Sequence, residues 1–262
     1  MAARKGLSQI LRVVCRGVAA GCRQERVSAD PNLAILVFAR LDSRRLPGKT
    51  MTPLAGCPIL GRVIDRLRRV VGSPPIVVAT SDRTLDDPIA AFAKSEGVDV
   101  FRGALDDVAR RAHDCALARR LQAIVRISAD SPFIDPAVIG AVIARFRQGD
   151  VDLATNVFPR SYPPGVSVEV LATEALDRML ALTDDGGDRE HVTRYIYAHA
   201  DRFRIANVTV GDDRYSGVGL TVDTPDDLAR AAWIAGRLGT DLASANLDRI
   251  VALARAWQEG QR

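Results

Sequence analysis

The chain is poor in the residues that build disulfide frameworks and metal clusters. Its four cysteines (Cys15, Cys22, Cys57, Cys115) are scattered without a C-x-x-C pair, and only three histidines occur. That distribution argues against a disulfide scaffold or a zinc site, and makes a reducing cytoplasm the expected compartment. His191 and His199 stand too far apart for a paired helical ligand set. Long apolar runs are also missing: none approaches the roughly 20 residues that a membrane-spanning helix requires. No internal repeat or low-complexity stretch interrupts the chain.

A charge excess on the body of the chain is absent as well. Of 36 basic and 32 acidic side chains, six and two lie within residues 1–31, which leaves thirty of each sign in the remainder. The formal charge of +4 therefore belongs to the N-terminal stretch. A nucleic-acid-binding domain would need a basic stripe on its folded part, so no nucleic-acid partner is expected. Within 1–31, Leu7, Ile10, Leu11, Val14 and Val18 follow helical spacing, with Arg12 and Arg16 between them. An Arg-rich, acid-poor segment of this kind can serve as an organellar presequence, but it has few serines. The favoured expectation is a loosely ordered basic extension at 1–31, followed by a single domain at 32–262.

What is present from Leu33 onward is alternation. Leu33–Ala39 (LAILVFA) is apolar on both faces, as a buried parallel strand should be. Further strands are expected at Ile76–Thr80, Val98–Arg102, Ala123–Ser128, Leu153–Asn156, Val166–Leu171, Arg204–Val210 and Gly219–Val222. Helices are expected near Ile59–Arg69, Pro88–Glu96, Asp106–Arg120, Pro136–Gln148, Thr173–Leu182, Arg189–His199, Pro225–Leu238 and Leu247–Trp257. Such alternation predicts an α/β three-layer sandwich with a mostly parallel sheet. Ligands of these sheets bind beyond the carboxyl ends of the strands, so the residues just after each strand matter most. The proline-rich Phe158–Gly165 (FPRSYPPG) reads as an insertion near the site or as an ordinary surface loop.

Directly after the first strand runs Arg40-Leu41-Asp42-Ser43-Arg44-Arg45-Leu46-Pro47-Gly48-Lys49. Four cations and a glycine in ten residues suit a triphosphate cradle, in which backbone N–H groups approach phosphate and Arg and Lys neutralise it. A solvated basic loop is the plainer alternative. Gly48-Lys49-Thr50 is not the end of a Walker A loop, because Ser43 stands where that motif requires glycine and Pro53 obstructs an immediate helix.

Two aspartates have no local duty. Asp135 before Pro136 is a helix N-cap with a first-turn proline, whereas Asp130 lies earlier, at the strand end. Likewise Thr224 caps, Pro225 opens the helix and Asp227 completes a capping box, which leaves Asp223 spare. Taken singly, each is a turn residue. Taken with the phosphate loop, the pair suits one Mg²⁺, a hard cation that prefers oxygen ligands and substrate phosphates.

Together these segments resemble a known family. Arg40-x-x-Ser43-x-Arg45-Leu-Pro-Gly-Lys49 is similar to the signature of the acylneuraminate and KDO cytidylyltransferases, with the spore-coat polysaccharide biosynthesis protein F group as the nearest relatives. The likeness extends through Leu54-Ala-Gly-Cys-Pro-Ile-Leu60, Asp130-Ser-Pro-Phe-Ile-Asp135, Tyr162-Pro-Pro-Gly165 to Glu169, Arg189-Glu-His-Val-Thr193 and Thr221-Val-Asp-Thr-Pro225. Five such segments in order are specific where one alone is weak. The resemblance implies a nucleotide-diphospho-sugar transferase fold and Mg²⁺-dependent transfer of CMP from CTP to a sugar or sugar acid. By position, it implies that Arg40, Ser43, Arg45 and Lys49 hold the triphosphate, with Arg45 and Lys49 stabilising the charge that develops. It gives Asp130 and Asp223 to the metal, and Asn156, Tyr162, Gly165, Glu169, Glu190 and His191 to the sugar. Glu169 or Asp223 would accept the hydroxyl proton, and a homodimer is implied.

Three departures from the family pattern stand out. Asp42 replaces a usual glycine or alanine, Gly219 an expected arginine and Arg194 a usual proline. The first two lower the positive potential near the phosphate loop. Two alternatives stay open on the sequence: a glycosyltransferase or a transferase of another nucleotide on the same fold, and a non-catalytic nucleotide- or sugar-binding partner.

Overall fold

The computed structural model describes residues 32–260. The expectations for residues 1–31 lie outside that range.

The sheet is assembled from β1 (Leu33–Phe38), β4 (Ile76–Ser81), β5 (Asp99–Gly103), β6 (Ala123–Ser128), β7 (Leu153–Thr155), β8 (Glu169–Ala172) and β9 (Ile205–Asn207). A separate two-stranded ribbon joins β2 (Pro53–Leu54) to β3 (Cys57–Pro58). Strand order across the main sheet is β5-β4-β1-β6-β8-β7-β9. Only β8 runs against its neighbours; the pairs β1–β4, β1–β6, β4–β5 and β7–β9 are parallel. The sheet is thus mostly parallel, as the alternation predicts. From β1 the chain builds outward through β4 and β5, then returns to the other flank of β1 as β6. That reversal makes the ends of β1 and β6 a topological switch point, where such sheets bind ligands.

Helices cover both faces. Against one, Ile35, Val37, Val78, Val125 and Ile127 pack with α1 (Ile59–Leu67), α2 (Asp87–Ser95), α4 (Pro136–Arg147), α8 (Pro225–Leu238) and α9 (Leu247–Glu259). On the other, Ala34, Leu36, Val77 and Ile124 meet α3 (Val108–Ala118), α5 (Thr173–Leu182) and the α7 segment (Arg194–Ala198). Period-two alternation thus feeds two cores, giving the three layers.

Three expected elements differ. Residues 166–168 do not join the sheet, because the Asn156 side chain holds them: its Nδ2 donates to the Val166 carbonyl at 2.7 Å and its Oδ1 accepts from the Val168 amide at 2.9 Å. Gly219–Val222 is not a strand either. Its amides bond to a loop and a strand end instead, Leu220 to the Pro164 carbonyl at 2.7 Å and Val222 to the Asp130 carbonyl at 2.9 Å. The helix expected over Arg189–His199 divides into α6 (Gly186–Glu190) and α7. Val192 is fully buried between them, and the Thr193 hydroxyl donates to Glu169 at 2.7 Å, which draws the chain inward.

Candidate active site

The cationic loop after β1 is closed on itself. The Gly48 amide donates to the Leu41 carbonyl at 2.8 Å, and the buried Thr50 hydroxyl donates to the Arg40 carbonyl at 3.1 Å. Gly48 sits at φ 73°, a left-handed conformation that glycine adopts without steric cost. The loop entrance is fixed by Asp86, fully buried, which accepts the Leu41 amide at 2.8 Å as well as the Ser81 hydroxyl and Arg83. The ring places Lys49 at the start of a short 3-10 turn, pointing back across the sheet end.

There Lys49 Nζ lies 2.8 Å from Asp130 Oδ2 and 2.6 Å from Asp223 Oδ1. Arg45 Nη2 takes the other Asp223 oxygen at 2.8 Å. The two aspartates arrive from distant parts of the chain, held side by side by the Val222–Asp130 backbone bond. Their helix-capping neighbours are occupied as the sequence predicts. Asp135 accepts the Ala137 and Val138 amides, and Thr224 and Asp227 form a reciprocal capping box. Asp130 and Asp223 therefore have their carboxylates turned toward the loop.

Arg40 reaches the other way, to Glu190 Oε1 on α6 at 3.0 Å. Asp42, one of the departures from the family pattern, lies between Arg40 (3.5 Å) and Arg83 (3.0 Å). Its charge is compensated locally, so it subtracts less from the loop's positive potential than its position suggests. Arg194, another departure, pairs with Asp185, the N-cap of α6, and with Asp188 in its first turn.

The remaining sequence-selected residues fall into different settings. Ser43 is half-buried within the loop and His191 is exposed. Asn156 is fully buried, with both ends of its amide on backbone groups. Gly165, at φ 93°, lies against the backbone of Leu220 and Thr221. Tyr162 packs near Tyr215, with ring centroids 5.8 Å apart. Both rings line an open groove of about 620 Å³ that also takes in Pro164 and Gly219 and lies outside the Lys49 cluster. Glu169 is buried at 3% exposure and accepts from Arg126, Thr193 and Tyr197. Burial alone would raise its pKa, but Arg126, Tyr197 and Thr193 outweigh it and hold the carboxyl below its usual range. Burial and the Glu169 charge push the Tyr197 phenol up in turn. Glu169 is thus a buried anion with three donors rather than a free base.

Asp86, Arg83, Arg126 and Tyr197 escape the sequence reading. Asp86 lies in the polar stretch after β4, the only local hint that the loop has a fixed support there. Arg126 is an isolated cation in an apolar strand, an oddity that marks a partner without naming it.

A divalent cation is compatible with this donor set. Two carboxylates of separate origin already meet one cation, the Lys49 ammonium, and two protein oxygens plus substrate phosphates are a usual set for Mg²⁺. Among the described residues, no three His, Cys, Asp or Glu side chains group as an all-protein metal cage. Among the same residues, no helix is long and apolar enough to cross a membrane.

Residues 34–232 match the sequence profile of a family described as cytidylyltransferase. The chain belongs to the cytidylyltransferase family. It is 31% identical over 205 residues to the spore coat polysaccharide biosynthesis protein SpsF of Bacillus subtilis, covering 75% of this chain and 83% of that one. It is 27% identical over 249 residues to a 3-deoxy-manno-octulosonate cytidylyltransferase of Anaeromyxobacter sp., covering 76% and 95%. A solved cytidylyltransferase structure from Leptospira borgpetersenii superposes with a TM-score of 0.80 at 27% identity, covering 88% and 95%. This cytidylyltransferase therefore has the nucleotide-diphospho-sugar transferase fold and is an enzyme of the nucleotidyltransferase class.

Proposed function

We propose that this cytidylyltransferase transfers CMP from CTP to a hydroxyl of a sugar or sugar acid, releasing pyrophosphate, in polysaccharide or glycan biosynthesis. The observation that carries the reading is the meeting of Lys49 and Arg45 with Asp130 and Asp223 at the switch point between β1 and β6. Arg40, Ser43, Arg45 and Lys49 bind the triphosphate, and the closed loop fixes the backbone from which their side chains meet the charge that shifts toward the leaving pyrophosphate. Asp130 and Asp223 would hold Mg²⁺, which when bound neutralises phosphate charge. The acceptor hydroxyl attacks the α-phosphorus, its proton departs to a base, and the bond to the pyrophosphate oxygen breaks. Of the two carboxylates considered as that base, Glu169 is committed to three donors and Asp223 to Lys49 and Arg45, so Asp223 could serve only once those cations have turned to the phosphates. Tyr162, Gly165, Glu190, His191, Asn156 and Glu169 surround the sugar or frame its site. The relatives' names support cytidine as the base and a sugar acid such as 3-deoxy-manno-octulosonate as one acceptor class. A cytoplasmic homodimer completes the reading.

The test is pyrophosphate release with Mg²⁺ and each of CTP, UTP, GTP and ATP against a pool of sugar acids and sugar phosphates. Release confined to CTP and dependent on a sugar is expected, and Asp223→Asn should lower it by about two orders of magnitude or more. Release with every nucleotide, or none without loss of CTP binding, overturns the proposal.

A further inference from the structure

The Lys49 ammonium occupies the place between the two carboxylates where a metal would sit. Its side chain is 13% exposed, against 19% for Asp130 and 29% for Asp223, so the cluster is only partly screened by water. With Arg45 on the second Asp223 oxygen, two positive charges already balance two negative ones. A divalent cation would seek the same pair of carboxylates, and its charge would repel the ammonium that bridges them. Lys49 and the metal therefore compete for this pair.

The backbone beneath Lys49 is pinned by the Gly48–Leu41 and Thr50–Arg40 hydrogen bonds, so the flexible four-carbon stem is the part free to move. The other destination for its charge is the triphosphate held by the same loop.

We propose that Lys49 is a placeholder cation: it neutralises Asp130 and Asp223 when no metal is bound, and gives way to the metal as nucleotide phosphate draws it away. The proposal rests on the triphosphate and metal assignments above and deepens them. It makes metal and nucleotide binding interdependent, with metal alone bound weakly and the nucleotide supplying the release. By linkage, each ligand strengthens the other to the same degree. It also accounts for how the repulsion between two carboxylates that the Val222–Asp130 backbone bond sets side by side is offset.

The experiment titrates the full chain with Mn²⁺, reading the free ion by electron paramagnetic resonance, without nucleotide and then with a methylene-bridged CTP analogue. Lys49→Gln keeps a donor for the carboxylates but removes the charge, and should bind Mn²⁺ alone about tenfold more tightly than wild type or better. It should bind the analogue less well, and adding Asp223→Asn should abolish the gain. Thermal unfolding gives a second reading that needs no variant. Mn²⁺ alone should leave the wild-type Tm unchanged, while Mn²⁺ with analogue raises it. A wild-type Tm raised as far by Mn²⁺ alone overturns the placeholder. So does a folded Lys49→Gln that gains no Mn²⁺ affinity; if Asp223→Asn still weakens Mn²⁺ binding beside the analogue, the metal assignment survives that result. If Asp223→Asn changes Mn²⁺ binding in neither condition, both fall together.

Discussion

At Gly165 the backbone turns with φ 93°, and a Cβ built there would lie 2.5 Å from the Leu220 carbonyl carbon and 2.6 Å from the Thr221 amide nitrogen. Those neighbours are backbone, two and three residues from Asp223, so they cannot yield by changing a rotamer. Gly165→Ala should cost about 1–3 kcal/mol in urea unfolding, through overpacking and a disfavoured φ. It should also lower kcat by displacing Asp223. A variant as stable and as active as wild type would show that the 219–223 run is not held from this side. The same scale sets what a reader of the sequence can find. Asp130 and Asp223 are legible because adjacent residues explain the caps and leave them over. Asp86 and Arg126 are not, since their partners Leu41 and Glu169 lie 45 and 43 residues away in the chain.

Among the elements, β7 is tied at its entrance by Asp152, 5% exposed, which accepts from Arg178 of α5 and from both the backbone and side chain of Arg204 before β9. Burial would raise its pKa, but Arg178 and Arg204 together bring it down to about 2 from 3.8. A group depressed in the folded state stabilises fully above its unfolded pKa and loses that contribution as pH falls through the folded value. Wild-type stability should therefore drop between about pH 4 and pH 2, and Asp152→Asn should flatten that part of the urea-midpoint profile while lowering the plateau. An unchanged acid limb would remove Asp152 as its source. Element boundaries were legible where punctuation was strong: Pro225–Leu238 forms as expected between a capping box with a first-turn proline and Gly239. The strand expected at Gly219–Val222 failed for a physical reason. Leu220 and Val222 are buried as in a strand, but their amides bond to Pro164 and Asp130 rather than to a neighbouring strand. Alternation reports burial, and only topology decides the hydrogen-bond partner.

For the whole molecule, the excess charge lies in residues 1–31 and the family match in residues 34–232. The described residues begin at Asn32, whose carbonyl accepts the Gln122 amide at 2.8 Å, and the family match begins at residue 34. A variant starting at residue 32 should retain the Tm and pyrophosphate release of the full chain while its isoelectric point falls from 9.1 toward neutrality. Loss of folding would show that residues 1–31 complete one of the two cores. The run that carries Asp223 has a wider consequence. It is anchored to a loop carbonyl and a strand end, outside the sheet's hydrogen-bonded ladder, and it borders the groove formed by Tyr162, Tyr215 and Gly219. Groove and core share residues there: Val218 lines the groove and is buried in the core, and Tyr162 and Tyr215 pack against that core. A substitution on that outer face therefore reaches the interior, and the groove is not free to change independently of the packing beneath it.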